Sequence, residues 1–136
     1  MVKRHGCCLL LMLLGGCGEP EPGAVTPLES EVIPQAIQAH AALRDAVDSY
    51  AAARTPEQVK ACLPALEKVA EDTRQPQFAS RARFAIAHAY AYALNDRTKA
   101  IEQFQQVIAM APTAPLATLA ARQIEELRRR GGEATP

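Results

Sequence analysis

Fifteen basic and fifteen acidic side chains give this 136-residue chain a formal net charge of zero, which excludes the basic excess of a nucleic-acid binder. Its length suits one domain with a core of its own. Three of the four cysteines fall within the first seventeen residues, so the remainder, with Cys62 alone, has no disulfide framework.

The chain opens with a basic pair, Lys3 and Arg4, then an apolar run from Cys7 to Leu14, then Gly15, Gly16 and Cys17. The run is too short to span a bilayer, which takes about 20 apolar residues. Its layout is that of a secretory signal over residues 1–16. Leu14-Gly15-Gly16-Cys17 resembles the lipobox of bacterial lipoproteins: a large aliphatic residue, two small ones, and a cysteine whose thiol can form a thioether to diacylglycerol. The resemblance implies lipidation of Cys17, a mature chain beginning there, and the membrane as a partner reached through lipid. Gly18, in place of the aspartate that favours inner-membrane retention in enterobacterial lipoproteins, implies the outer membrane, facing the periplasm. Several acyl chains, at about 0.8 kcal/mol per buried CH₂, make a stable anchor. Loss of Lys3 and Arg4 with the signal leaves the mature chain slightly acidic.

Residues 17–29 hold prolines at 20, 22 and 27 and few large apolar side chains, the composition of an extended tether. From 30 to 130 the pattern is helical, with no period-two segment. A first helix, beginning between Ser30 and Pro34, carries Ile33, Ile37, His40, Leu43, Val47 and Tyr50 on one stripe. Thr55-Pro56-Glu57-Gln58 predicts a capped restart with a capping box. The second helix carries Val59, Cys62, Leu63, Leu66, Val69 and Ala70, and Pro64 inside it predicts a bend. After Pro76, a third helix from Gln77 to Leu94 is apolar nearly all round, the pattern of a central buried helix. Asn95-Asp96 form a turn. A fourth helix carries Ala100, Ile101, Phe104, Val107 and Ile108 and stops at Pro112. A fifth starts near Pro115, carries Leu116, Leu119, Ala120, Ile124 and Leu127, and ends at Gly131-Gly132 after three arginines. Residues 131–136 read as a loose tail.

Shifted by 38 residues, the chain resembles itself: Cys62 falls on Ala100, Leu66 on Phe104, Val69 on Val107, Phe78 on Leu116, Ala82 on Ala120 and Ile86 on Ile124. A period of this length signals stacked helical hairpins. Phe84, Ala100, Phe104 and Pro112 stand at the spacing of the tetratricopeptide repeat, and Lys99 to Pro112 looks like the second helix of such a repeat. His88 and Ala91 depart from it, standing where the family prefers glycine and tyrosine. The expected fold is all-α: a short right-handed stack of antiparallel helical hairpins, tetratricopeptide-like, about five helices. Cys62, at the position of the small Ala100, is expected to be a buried, inert thiol.

His40 and His88 are far apart, and no His-x-x-x-His or Cys-x-x-Cys spacing, phosphate loop or nucleophile elbow occurs. Neither an enzyme, a metal site nor a cofactor is expected. The acidic side chains read as solvated faces, with Glu125 and Glu126 placed to pair with Arg129 and Arg130. In tetratricopeptide-like arrays the first helix of each hairpin lines the binding face. Carried onto the third helix, that resemblance points to Ala85, Ala89 and Tyr92, with Arg81 and His88 nearby. Arg81, His88 and Tyr92 are the candidate partner-binding residues, although simple covering of the alanines by the first and fifth helices is the preferred account of that face. The expected role is a protein–protein interaction scaffold or accessory subunit of the envelope, with unidentified envelope proteins as partners. A peptide- or glycan-binding accessory module, or a structural lipoprotein without a groove, is the alternative.

Overall fold

The computed structural model describes residues 27–132, with side chains from residue 34 onward. Residues 1–16, expected to be a signal sequence, and Cys17 lie outside the described residues, as do 133–136 of the tail. Two units are distinguished along the chain, residues 1–33 and residues 34–136, and all packing described below belongs to the second.

Among the described residues the regular structure is entirely helical: α1 (Pro27–Ala52), α2 (Pro56–Ala70), α3 (Pro76–His88), α4 (Arg97–Met110) and α5 (Pro115–Arg130). A π-helical turn, Ala89–Ala93, prolongs α3. α1 starts at Pro27, so the last residues assigned to the tether are already helical. Helix starts follow local chemistry. Proline, whose missing N–H costs nothing in the first turn, opens α2, α3 and α5. The Thr55 hydroxyl accepts from the Gln58 amide at 3.2 Å, and Gln58 Oε1 accepts from the Thr55 amide at 3.3 Å, completing the expected capping box. Asp96 caps α4 by accepting from the Lys99 amide at 3.1 Å. α2 runs through Pro64 without interruption, its pyrrolidine on the exposed side.

Packing forms a stack of helical hairpins around two clusters. Leu43 and Ala46 of α1, Leu63, Leu66 and Val69 of α2, and Ala82 and Ile86 of α3 make the first. Ala87 of α3, Phe104 and Val107 of α4, and Ala120, Ile124 and Leu127 of α5 make the second. α3 is central, touching α2, α4 and α5. Its Ala79, Ala82 and Ala87 are fully buried, as is Ala89 just beyond it, and their small side chains let neighbouring helices come close. Phe104, also fully buried, stands edge-on to Phe84 with ring centroids 5.2 Å apart. Burying such a side chain is worth roughly 1.5–3 kcal/mol.

Burial repeats at the 38-residue shift: Leu66 and Phe104, Ala79 and Ala117, Ala82 and Ala120, and Ile86 and Ile124 are all buried. Two departures are instructive. Cys62 is only half-buried where Ala100 is fully enclosed, so the thiol is less sheltered than its position in the repeat implies. The strict shift from Thr55 places the cap of α4 at Ala93, yet the cap is Asp96, and the π turn lies in the stretch before it. There the Leu94 amide reaches back to the Ala89 carbonyl at 3.0 Å and the Asp96 amide to the Tyr90 carbonyl at 2.8 Å. Asn95, with φ of 52°, makes the left-handed reversal.

The stripe expected on α1 is corrected. Ile37 is 64% exposed and Val47 36%, and His40 is exposed with its ring against Phe78 at 5.6 Å. The buried line is Leu43 and Ala46, continued by half-buried Tyr50 and Ala53. Leu43, Ala46 and Tyr50, with Ala53 just past the helix end, recur at steps of three and four residues, so they share the one face of α1 that packs on the first cluster.

Candidate functional site

Side chains from α1, the end of α3 and α5 meet in one polar aromatic array. The Tyr50 hydroxyl and His88 Nδ1 share a hydrogen bond of 2.8 Å. With the hydroxyl donating, the imidazole carries its proton on Nε2. The His88 ring lies 4.6 Å from that of Tyr92 by centroids, tilted at 46°. One turn of helix separates the two, and the π turn carries Tyr92 toward α5. Tyr92 in turn donates its hydroxyl proton to Gln123 Oε1 on α5. The Arg130 guanidinium stands 5.8 Å from the centre of the Tyr92 ring, within cation–π range, while its Nε donates to Glu126 at 2.7 Å. Tyr50, His88, Tyr92 and Gln123 therefore form a continuous line across three helices.

Partial desolvation sets the electrostatics of this line, in which Tyr50 is half-buried and His88 keeps an exposed face. Desolvation pushes His88 below the ordinary imidazole range and Tyr50 above the ordinary phenol range, so both favour their neutral forms. At the α5 end, hydrogen bonds from Arg130 and then Arg129 hold the Glu126 carboxyl below its usual value. The pairing anticipated between these arginines and the acidic pair is made by Glu126, which binds both.

His88 and Tyr92 are thus brought together, and Tyr92 is 39% exposed. Arg81 is not part of the array. It lies two helical turns N-terminal of His88, roughly 10 Å along the axis, on a separate cleft of about 560 Å³ between the first turns of α3 and α5. Ala89 is fully buried and Ala85 packs half-buried against the first cluster, so neither presents a contact surface. Tyr50 and Gln123 escaped sequence reasoning. Tyr50 had a usable signal, because it stands one 38-residue period before His88, and equivalent positions of successive hairpins are neighbours in a stack. Gln123 had none.

A second cleft, of about 410 Å³, lies between α1 and the α2–α3 hairpin. Ala39, Ala42, Val69 and Phe78 line its apolar part, and Lys68, Asp72 and Arg74 its polar rim. Asp72 is already engaged, accepting from Arg74 Nε at 2.9 Å and Nη2 at 3.1 Å. Among the described residues, no three His, Cys, Asp or Glu side chains cluster as metal ligands, and no helix is long and apolar enough to cross a membrane.

Compared with known proteins, the chain matches no family model, no curated protein and no solved structure.

Proposed function

We propose that this chain is a lipid-anchored interaction module of the bacterial cell envelope, a tetratricopeptide-like adaptor held at the outer membrane through Cys17. The observation that carries the reading is the aromatic line on alternate helices. Tyr50, His88 and Tyr92 come from α1 and α3, the first helices of successive hairpins, and end on Gln123 and Arg130 of α5. Tyrosine and arginine are the side chains most enriched where proteins bind proteins. The helix interfaces behind this face are filled by the buried side chains of Ala82, Ala87 and Ala89, which favours a docking surface over an enclosed ligand pocket. The leader ending in Leu14-Gly15-Gly16-Cys17 supplies the address. Confinement to a membrane raises the effective concentration of such a module near membrane-bound partners without any new contact.

The test is in-cell cross-linking and affinity capture of the full chain with a C-terminal tag, beside Cys17→Ser and Tyr92→Ala. A stoichiometric envelope protein captured by the wild type and lost with either substitution supports the adaptor. Capture that Cys17→Ser leaves unchanged removes the anchor from the mechanism. No protein captured by a correctly folded wild type overturns the adaptor reading.

A further inference from the structure

We propose that the cleft between the first turns of α3 and α5 docks an acidic peptide segment of a partner protein, a carboxylate meeting Arg81 and a neighbouring apolar side chain packing on Leu116 and Leu119. The inference rests on the adaptor reading and names the chemistry of its occupant. Arg81 is the one charged residue among those lining the cleft, whose other walls include Met110, Ala114, Leu116 and Leu119. Two of the large hydrophobic side chains left exposed on the described surface, Leu119 at 48% and Met110 at 37%, belong to these walls. Arg81 makes no hydrogen bond or ion pair with another described residue. Its α3 neighbour Arg83, by contrast, donates to Gln103 at 3.2 Å, and Arg74, Arg129 and Arg130 each hold a carboxylate.

Charge decides what fits. α3 carries Arg81 and Arg83 and no acidic residue, so the local field repels a basic segment and draws an acidic one. α3 and α5 both begin at this cleft without a side-chain cap, and their first-turn amides add potential of the same sign. An open arginine costs little to leave hydrated, but a carboxylate placed beside apolar walls gains a charge-assisted, bidentate bond as water leaves. The size is suitable: about 560 Å³ falls in the range of roughly 300–1,000 Å³ typical of ligand sites and holds a few side chains. A lipid chain is the weaker occupant. Walls as exposed as Leu119 and Met110 do not sheath a hydrocarbon from water, whereas a peptide covers them with its own backbone and neighbouring residues.

The experiment titrates the full chain in detergent micelles with a short fluorescent peptide repeating glutamate, glutamate and leucine. A counterpart with lysine in place of glutamate is run beside it. The acidic peptide is expected to bind and the basic one not, with affinity falling as salt rises. Arg81→Glu is expected to weaken binding at least tenfold and Leu119→Ser several-fold. Arg81→Lys retains part of it, and Lys60→Glu, a like change on exposed α2, leaves it unaltered. All three sites are exposed, and circular dichroism checks that the helices persist. The proposal is overturned if the acidic peptide fails to bind at millimolar concentration, or if Arg81→Glu has no more effect than Lys60→Glu. It is also overturned if Arg81-dependent binding is found with phosphatidylglycerol vesicles and not with peptide. Peptide binding without any partner captured in cells leaves this cleft standing and removes the adaptor; a captured partner indifferent to Arg81→Glu does the reverse.

Discussion

The hydrogen bond between Tyr50 and His88 joins two side chains that burial drives toward their neutral forms, and it ties α1 to the end of α3. His88 has a folded pKa below the ordinary value near 6.5. Between those two values the unfolded chain binds the proton more readily than the folded one. The contribution is therefore complete above about pH 6.5 and is lost as pH falls through the folded value. Urea midpoints are expected to rise from pH 5 to pH 7.5 in the wild type and to flatten over that window in His88→Gln. The carboxylates Asp72 and Glu126, whose pKa values are lowered by their arginines, act only in the more acidic range. Tyr50→Phe, which keeps the ring and removes the hydroxyl, is expected to cost about 0.5–1.5 kcal/mol by denaturant titration. In the second cluster Phe104→Ala is expected to cost about 3–5 kcal/mol, because a fully enclosed ring leaves a cavity that packed helices cannot close. Against a typical total of about 5–15 kcal/mol, that loss threatens the fold.

At the scale of the element, boundaries are where local chemistry speaks loudest. The Thr55–Gln58 box was legible in four consecutive residues because both of its bonds are local. Thr55→Ala is expected to cost about 1 kcal/mol, read as a lowered melting temperature. The π turn was not legible. It depends on how α3 must extend to bring Tyr92 to Gln123, and nothing in the alanine–tyrosine alternation of Ala89 to Ala93 demands a wider turn. Its exit is testable at Asn95, whose positive φ strains a side chain with a β-carbon. Asn95→Ala is expected to lose roughly 1 kcal/mol, whereas Asn95→Gly is not. At Pro64 the sequence predicts a bend within a helix, and α2 runs continuously from Pro56 to Ala70 through that residue, with the ring toward solvent.

For the molecule as a whole, stability is unevenly distributed. α4 buries Ala100, Phe104 and Val107 between α3 and α5, while α1, the first of the described helices, contributes Leu43 and Ala46 to the core and leaves Ile37 and Val47 in water. Fewer buried apolar contacts hold an element less firmly in a stack. Native-state hydrogen exchange is therefore expected to show amides of α1 opening at lower free energy than those of α4 around Phe104. If α1 is instead as protected as α4, the stack behaves as a single cooperative unit.

The all-helical fold and its hairpin arrangement could be read from the chain because they rest on periodicity, proline and caps, which act over a few residues, and on a repeat that registers as self-similarity. The proposal of a lipidated leader ending at Cys17 likewise rests on sequence alone. The composition of the aromatic line, the separation of Arg81 from His88 and Tyr92, and the clefts beside α3 were decided only by tertiary structure. Each depends on which faces of non-adjacent helices meet, and on small offsets such as the π turn, where a residue more or less per turn redirects every side chain beyond it. One-dimensional pattern fixes the side of a helix that can be buried; the angle and register at which helices pack decide which of the remaining side chains become neighbours.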